Sequence, residues 1–442
     1  MLIKRTTSLC PVCLTKVPAN VVERDGSVFL EKTCKEHGPD VALLASDASL
    51  YWRGPAALTA ATTEASTPAS CGSGGCGGNH SCALIFEITE QCNLTCPTCF
   101  AGSSPKHTRM LSVETFTQQL DRLLAHGKED VDTVQLSGGE PTVHPDLVRM
   151  VEICFERNVK KVYINTNGIR LAKDRDLVRR LAAIDAGRDR LQFYLQFDGF
   201  ADDTYAKIRG ARGLLSIKRQ AIENALEVGL FVLPVMTVTR GINLHEIGQV
   251  LQMVRDYHPR MTTLMLQPAF YSGRYENGRD QRLTMAEVIH EVVLQSDGLF
   301  TLEDFGPIPC SEPNCFGIAA AVVHGEKVTP ISRYFPRVET WANSDVTTLV
   351  SSFSDRLPQH MLEDLADDEV VESLLDLLTV DVETSDWTDY HNFIVVAIKP
   401  FMDAHTYDQD RIDRCCTHMV NRSGDPVSFC EYNALHRPLG RL

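Results

Sequence analysis

The chain has 442 residues, of which 43% are hydrophobic and 23% charged, and its formal net charge is −15. This composition is typical of a globular protein of two or three domains. The negative charge argues against a nucleic acid partner. Neither a signal peptide nor an apolar run of about 18 residues is visible, so we expect a cytoplasmic protein without a transmembrane segment.

The number of cysteines, fifteen, is high for a cytosolic protein. Disulfides are rare in the cytosol, so disulfide bonding does not explain this number. The cysteines recur at C-x2-C, C-x4-C and C-x3-C-x2-C spacings. Several iron or iron–sulfur sites are the simpler explanation, and they predict an oxygen-sensitive protein.

Residues 1–55 are predicted to form a small metal-binding module of rubredoxin-like character. Cys10 and Cys13 are spaced C-x2-C, a polar hairpin pattern follows over 21–32, and Cys34 closes the module. Three thiolates in this arrangement predict a mononuclear tetrahedral site for iron or zinc.

Residues 56–82 are rich in Gly, Ala, Ser and Thr, and this composition predicts a linker. The fourth ligand of the N-terminal site remains open between this linker and the module itself. The candidates are Cys71, Cys76, Cys82 and His37.

Residues 83–300 alternate between short apolar runs and helical patterns. The helical patterns cover 112–126, 146–157 and 214–228 among others. The six apolar runs are 84–88, 132–136, 161–165, 192–197, 231–237 and 262–267. Repeating strand–helix order implies an α/β fold with a parallel sheet, here a partial (β/α)6 barrel whose ligands lie at the C-terminal strand ends.

The first apolar run leads directly into a C-x3-C-x2-C loop formed by Cys92, Cys96 and Cys99. Three thiolates on one short loop suit a [4Fe–4S] cluster and leave its fourth iron open for chemistry. The alternatives are a zinc knuckle or a set of buried thiols. A zinc site usually draws its ligands as two separated pairs, which favours the cluster.

Polar segments follow the next three strands. Gly138 and Gly139 permit close approach of a ligand to the backbone, and Glu140 offers a carboxylate acceptor. The side chains that end the third and fourth strands are further candidates for cofactor binding, with turns or helix caps as the alternative. They are Asn165 and Asn167, then Gln196 and Asp198.

Residues 301–442 are predicted to form a C-terminal auxiliary domain. An acidic helical pattern covers 361–389, and the cysteines flank it. They could supply four thiolates for an auxiliary [4Fe–4S] cluster, although two adjacent cysteines can hardly both reach it. A reactive cysteine near His418 is the alternative. The candidate ligands are Cys310, Cys315, Cys415, Cys416 and Cys430.

The C-x3-C-x2-C loop with Gly138-Gly-Glu140 resembles the signature of the radical S-adenosylmethionine (SAM) enzymes. The resemblance implies that SAM binds the open iron and is cleaved by one electron to a 5′-deoxyadenosyl radical. It also implies that Gly138–Glu140 hold the amino group of SAM, that the backbone of Phe100 contacts adenine, and that Asp198 faces SAM.

The N-terminal Cys10-Pro-Val-Cys13 and the tail from Phe401 to Asn433 resemble the branch that contains the class D radical SAM methylases and the tetraether lipid synthases. We therefore expect hydrogen abstraction from an unactivated sp3 carbon, followed by methylation or carbon–carbon coupling of a small-molecule or lipid substrate. A reducing partner such as ferredoxin or flavodoxin is expected. The alternatives are an iron–sulfur electron-transfer or sensor protein and a peptide-modifying maturase.

Overall fold

The computed structural model describes residues 1–52, 81–126, 133–275, 282–308, 311–324, 327–333 and 393–440. These residues form one four-stranded and one eleven-stranded sheet. Most of the predicted linker and the acidic pattern at 361–389 lie outside these ranges. Among the described helices, none is both long and apolar enough to cross a bilayer.

The N-terminal module is an antiparallel sheet with the strand order β1-β2-β3-β4. Its strands are β1 (Leu2–Leu9), β2 (Lys16–Arg24), β3 (Ser27–Cys34) and β4 (Gly38–Ala45). Alternate residues of β2, beginning with Val17, are buried, as expected for a sheet with one covered face. Asp25 and Gly26 both have positive φ and form the tight turn of the predicted β2–β3 hairpin.

The six predicted barrel strands are present, and neighbouring strands pair in parallel. They are β5 (Ala83–Thr89), β6 (Thr133–Gly138), β7 (Lys161–Thr166), β8 (Leu191–Gln196), β9 (Phe231–Val238) and β10 (Thr263–Pro268). The α/β fold class is thereby confirmed.

Helices connect these strands and cover the outer face of the sheet. They are α1 (Val113–His126), α2 (Leu147–Glu156), α3 (Ile169–Lys173), α4 (Arg175–Asp185), α5 (Asp202–Arg209), α6 (Leu214–Glu227), α7 (Ile247–Asp256) and α8 (Met285–Gln295). The main hydrophobic core lies between helices and sheet and includes Val151, Ile164 and Phe193. Burial of this apolar surface is the main driving force for the fold.

The C-terminal region adds five strands, and two of them extend the parallel sheet. These strands are β11 (Gly317–His324), β12 (Lys327–Pro330), β13 (Phe393–Ile398), β14 (Thr417–Val420) and β15 (Pro426–Ser428). β13 pairs in parallel with β10, and β14 pairs in parallel with β5. Eight parallel strands therefore line the barrel, two more than the sequence pattern indicates. Two short helices, α9 (Gln409–Asp413) and α10 (Phe429–Glu431), flank β14 and β15.

Candidate active site and metal-binding sites

The loop that carries Cys92, Cys96 and Cys99 follows β5 and is held by an arginine from beyond β10. Arg274 donates hydrogen bonds to the carbonyl oxygens of Cys96 (3.1 Å), Gly102 (2.6 Å) and Ser103 (2.6 Å). Its backbone N–H also donates to the Cys99 carbonyl at 3.0 Å. The loop conformation is therefore set by a residue about 180 positions later in the chain.

Gly138 and Gly139 bring the end of β6 against the backbone that leads into this loop. A Cβ on Gly138 would lie 2.1 Å from the Thr89 carbonyl oxygen, and one on Gly139 would lie 2.2 Å from that of Gln91. The Gly139 N–H donates to the Thr89 carbonyl at 2.7 Å. The close approach that these glycines permit is therefore, in the first place, an approach to the cysteine loop.

The carboxylate of Glu140 is buried and accepts hydrogen bonds from its neighbours. The donors are the backbone N–H (3.1 Å) and hydroxyl (2.5 Å) of Thr142, the hydroxyl of Thr166 (2.6 Å) and the backbone N–H of Asn167 (2.7 Å). Three of these bonds end on Oε1 and one, from Asn167, ends on Oε2, so Oε2 keeps acceptor capacity. Glu140 thereby fixes the ends of β6 and β7. Its contact with SAM stays a prediction.

The predicted polar residues at the strand ends are joined in one hydrogen-bonded network. Asn165 donates to Ser137 at 3.2 Å, and Gln196 donates to Asn165 at 2.9 Å. Arg209 donates to Gln196 at 2.7 Å and to both oxygens of Asp198 at 2.6 Å. The network crosses the C-terminal ends of β6, β7 and β8, where ligands of parallel barrels bind.

Two buried cations beside this network were not found from the sequence. Arg209 is paired in bidentate fashion with Asp198, whose side chain is completely buried. Lys218, also completely buried, donates to the carbonyl oxygen of Asn167. Burial lowers the pKa of Lys218 to about 8. Both charges act on the Cys96 thiol, and nearby cations suit an anionic iron–thiolate cluster.

Burial disfavours the thiolate forms of Cys92 and Cys96 in the absence of a metal. Burial raises the pKa of Cys92 to about 12, and the charges of Glu140, Cys96 and Cys99 act in the same direction. Burial also raises the pKa of Cys96. The mutual repulsion shows that the three thiols lie near one another, and bound iron would offset it.

The remaining predicted cofactor-binding residues, Asn167 and Phe100, lie at the cysteine loop. Asn167 donates to Asn93 of the cysteine loop at 2.6 Å. The ring of Phe100 packs against Phe270 and Phe429 with centroid distances of 5.3 and 5.7 Å. The Phe100 side chain is thus directed toward the C-terminal region.

The N-terminal site brings Cys10, Cys13, Cys34 and His37 together within 4.8 Å. The His37 Nδ1 lies 3.6 Å from the sulfurs of Cys10 and Cys34, and the sulfurs of Cys13 and Cys34 are 3.9 Å apart. Tetrahedral zinc with Zn–S bonds of about 2.3 Å places its ligand atoms about 3.8 Å apart, so the four residues fit a zinc ion.

The chemistry of these four side chains also suits a cation. The hydrogen bond from His37 lowers the pKa of Cys34 to about 6, and the interaction with Cys34 raises the pKa of His37. Of the other candidates for the fourth ligand, Cys82 is not part of this group, and Cys71 and Cys76 lie outside the described residues.

Known protein families match both the region of the cysteine loop and the N-terminal module. Residues 86–254 match the radical SAM superfamily, and residues 2–46 match the HMPTM N-terminal zinc ribbon domain. The chain is a radical SAM enzyme with an N-terminal zinc ribbon. The prediction of a radical SAM enzyme is thereby confirmed. The match implies a [4Fe–4S] cluster and SAM, and it indicates zinc for the ribbon.

The radical SAM enzyme is 29% identical to the 7,8-dihydro-6-hydroxymethylpterin dimethyltransferase of Methanocaldococcus jannaschii, over 98% of this chain and 94% of that protein. It is 30% identical to the subtilosin biosynthesis protein AlbA of Bacillus subtilis, over 39% of this chain and 36% of that protein. The crystal structure of SuiB from Streptococcus suis with S-adenosylmethionine matches with a TM-score of 0.37 and 17% identity, covering 49% of this chain and 48% of that one.

The radical SAM enzyme has a third group of cysteines in its C-terminal region. The charges of Cys315, Cys415 and Cys430 act on one another, so the three thiols lie near each other. Arg411 donates from Nε to the sulfur of Cys315 at 3.3 Å. The predicted ligand Cys310 lies outside the described residues.

Cys416 differs from Cys415 in its surroundings. Its carbonyl oxygen accepts the N–H of Ala83 at 3.1 Å, next to the pairing of β14 with β5. Cys415 takes part in the thiol–thiol interactions of the C-terminal group. Its role as a ligand stays a prediction.

Proposed function

We propose that this radical SAM enzyme methylates a carbon of a dihydro-hydroxymethylpterin or a closely related bicyclic substrate. The observation that carries the proposal is the similarity to the dimethyltransferase of M. jannaschii, which extends over 98% of the chain. A match of this extent spans the zinc ribbon, the barrel and the C-terminal region together. The similarity to the subtilosin biosynthesis protein AlbA covers only 39% of the chain and therefore carries less weight for the substrate.

The described residues provide the surroundings that this chemistry needs. When bound, a [4Fe–4S] cluster on Cys92, Cys96 and Cys99 supplies a 5′-deoxyadenosyl radical from SAM. Arg209 and Lys218 contribute positive charge beside the thiols. The network of Asn165 and Gln196 fixes the polar edge of the barrel, and fixed polar groups orient a ligand without reorganising.

The inner face of the barrel suits a flat bicyclic ring. Tyr163 and Tyr194 pack with a centroid distance of 6.2 Å beside the small apolar cluster of Leu233 and Met265. Gln267 donates to the Tyr194 hydroxyl at 2.7 Å, and this hydrogen bond holds the side chains of Gln267 and Tyr194 in place. Aromatic surfaces with a few convergent polar groups are characteristic of sites for planar ligands.

We further propose an auxiliary [4Fe–4S] cluster on Cys315, Cys415 and Cys430, with Cys310 as the fourth ligand. Among the described residues, only the ribbon site brings three or more ligand atoms within 4.8 Å of one another. The C-terminal thiols and the loop thiols are both more widely spaced, and a cluster of four irons needs wider spacing than one ion. A small ferredoxin or flavodoxin in the cytoplasm would supply the electrons.

The experiment is anaerobic turnover of the reconstituted enzyme with dithionite, SAM and 7,8-dihydro-6-hydroxymethylpterin. We expect 5′-deoxyadenosine and a pterin product heavier by one CH2 for each methyl group added. Cys96→Ala should abolish both products. Cys154→Ala is the matched control, because Cys154 lies on the buried face of α2 and belongs to none of the three thiol groups.

Formation of 5′-deoxyadenosine without any gain in pterin mass would contradict the proposed substrate and leave the radical SAM assignment intact. A pterin product that loses hydrogen instead of gaining CH2 would contradict methylation.

A further inference from the structure

The zinc ribbon is packed against the C-terminal region through a buried lysine. Lys32 on β3 donates from Nζ to the carbonyl oxygens of Ala404 (2.8 Å) and His405 (2.7 Å) and to the hydroxyl of Ser8 (3.1 Å). Its side chain is almost completely buried, and Asp40 lies 3.6 Å away. A lysine is rarely buried without partners, so these contacts fix the ribbon on the segment that precedes α9.

A second contact holds the start of α9 itself. Asp408, which is 1% exposed, accepts a hydrogen bond from Thr6 at 2.6 Å and lies 2.7 Å from the Lys4 ammonium. The same carboxylate accepts the N–H of Asp410 at 3.1 Å and thereby caps α9. One buried side chain thus joins β1 of the ribbon to the helix N-terminus.

This helix carries the groups that arrange two of the C-terminal thiols. Arg411 on α9 donates to the sulfur of Cys315 at 3.3 Å and to the carbonyl of Pro400 at 3.0 Å. The N–H of Cys415 donates to the carbonyl of Ile412 at 3.1 Å, so Cys415 continues directly from the last turn of α9. The position of α9 therefore sets the positions of both sulfurs.

A third contact reaches Cys315 from the other side. The N–H of Trp52, just after the ribbon, donates to the side-chain oxygen of Asn314 at 3.0 Å, and the Asn314 amide donates to the Trp52 carbonyl at 2.7 Å. Asn314 is buried and directly precedes Cys315. The segments that present Cys315 and Cys415 are therefore both held by residues from the first 52 positions.

We propose that the zinc ribbon positions the C-terminal thiol site and that Asp408 is the positioning residue that links the two. The iron readout below rests on the auxiliary cluster under the proposed function, whereas the alkylation readout does not. In this arrangement the ribbon contacts no reacting atom. It maintains the geometry of Cys315 and Cys415 through Lys4, Thr6 and Trp52.

The test compares Asp408→Asn with Asp410→Asn in the full-length enzyme, reconstituted anaerobically. Both carboxylates lie near Lys4, but the Asp410 side chain is 42% exposed. Asparagine also caps helices, so Asp408→Asn keeps the cap and removes the charge that faces Lys4. Lys4→Met is the partner variant from the ribbon side, and thermal unfolding shows whether each variant is folded.

Two clusters correspond to about eight irons per chain. We expect the iron content of Asp408→Asn and of Lys4→Met to fall to about four per chain. Both variants should keep zinc, and iodoacetamide should label their Cys315 and Cys415. Asp410→Asn should match the parent in iron, zinc and labelling. Cys34→Ser, which removes zinc, should also lose the C-terminal iron and keep that of the barrel loop.

Unchanged iron and unchanged labelling of Cys315 in Asp408→Asn and Cys34→Ser would overturn the positioning role. If the parent itself holds about four irons, the auxiliary cluster of the proposed function is wrong. In that case the labelling rate of Cys315 is the only test of the positioning role. Faster labelling in Asp408→Asn than in Asp410→Asn would support the role, and equal rates would overturn it.

Discussion

The ribbon site and the cysteine loop of the barrel show two ways of arranging thiols for metal. The ribbon site is local, because Cys10, Cys34 and His37 are brought together by two short turns of one antiparallel sheet. The loop site depends on distant parts of the chain, since Gly139 and Arg274 hold the loop from the ends of β6 and β10. A local site can form by itself, whereas the loop site requires a folded barrel.

The two sites also differ in their proton chemistry. His37 lowers the pKa of Cys34 to about 6, while burial raises the pKa of Cys92 to about 12. The ribbon therefore offers a thiolate before metal arrives. Cys92 and Cys96 of the loop must lose their protons as iron binds, because burial raises the pKa of both thiols.

The largest effect is expected for Gly139→Ala. The added Cβ would lie 2.2 Å from the Gln91 carbonyl oxygen and 2.6 Å from its carbon, so the backbone at the cysteine loop must move. We expect loss of the loop iron and destabilisation by more than about 3 kcal/mol, measured by iron analysis and denaturant unfolding. The ribbon should keep its zinc.

Gly187→Ala is the control for this substitution. Gly187 has φ +71 and nothing within 4 Å of an added Cβ, so only backbone strain of about 1 kcal/mol is expected. Equal losses in the two variants would show that the close contact at Gly139 is not what holds the loop.

Arg274→Met should have the next largest effect. The substitution removes three hydrogen bonds from a charged donor to the loop carbonyls, with an expected cost of about 3 kcal/mol and a lower affinity for the loop iron. Urea unfolding and iron titration measure both quantities.

Arg212→Met is the matched control for Arg274→Met. Arg212 forms an exposed ion pair with Asp203 at 2.6 Å, so a change below about 0.5 kcal/mol is expected. Retention of full iron by Arg274→Met would contradict the dependence of the loop on β10.

A pH series of alkylation compares the thiols directly. In the metal-free chain, only the thiolate reacts, so the labelling rate of Cys34 should rise through about pH 6 and level off above it. Cys92, whose pKa is about 12, should remain nearly unlabelled up to pH 9. Brief iodoacetamide pulses followed by peptide mass spectrometry measure both rates. A rise for Cys34 only near the ordinary thiol pKa of about 8.5 would disprove its ionisation by His37.

The smallest effect on the barrel is expected for His37→Ala. Loss of one of four ligands should reduce the zinc content, since the three cysteines remain but leave the coordination open. SAM cleavage should be preserved, because the loop is held by barrel residues. His290→Ala, which removes an exposed histidine 2.9 Å from Asp47, is the control. Loss of the loop iron in His37→Ala would contradict the independence of the two sites.

The barrel strands were predictable because buried parallel strands are continuous apolar runs. The apolar run at 231–237, for example, corresponds to the strand Phe231–Val238, which is one residue longer at its C-terminal end. The run Phe393–Ile398 is equally apolar, but nothing in its sequence shows that it pairs with β10. Pairing partners depend on how the chain returns to the sheet, and local pattern does not contain this information.

The cysteines of the loop and ribbon were predictable because their spacing is local. His37 could not be chosen as the fourth ligand, since only the folded turn after Cys34 brings its ring within 3.6 Å of two sulfurs. Arg209 and Lys218 were missed because basic residues on helices are usually solvated, and their burial depends on helix packing. The role of Gly139 beside the Gln91 backbone likewise appears only in three dimensions.

The pairing of β14 with β5 joins two strands that are synthesised at very different times. Thr417 aligns with Ala83, so roughly 330 residues must be synthesised after the first barrel strand before its outer neighbour exists. At a translation rate of about 5–20 residues per second, that edge stays unpaired for about 15–70 seconds on the ribosome. Unpaired strand edges promote association with other chains. Expression of this enzyme should therefore depend on chaperones that protect nascent chains.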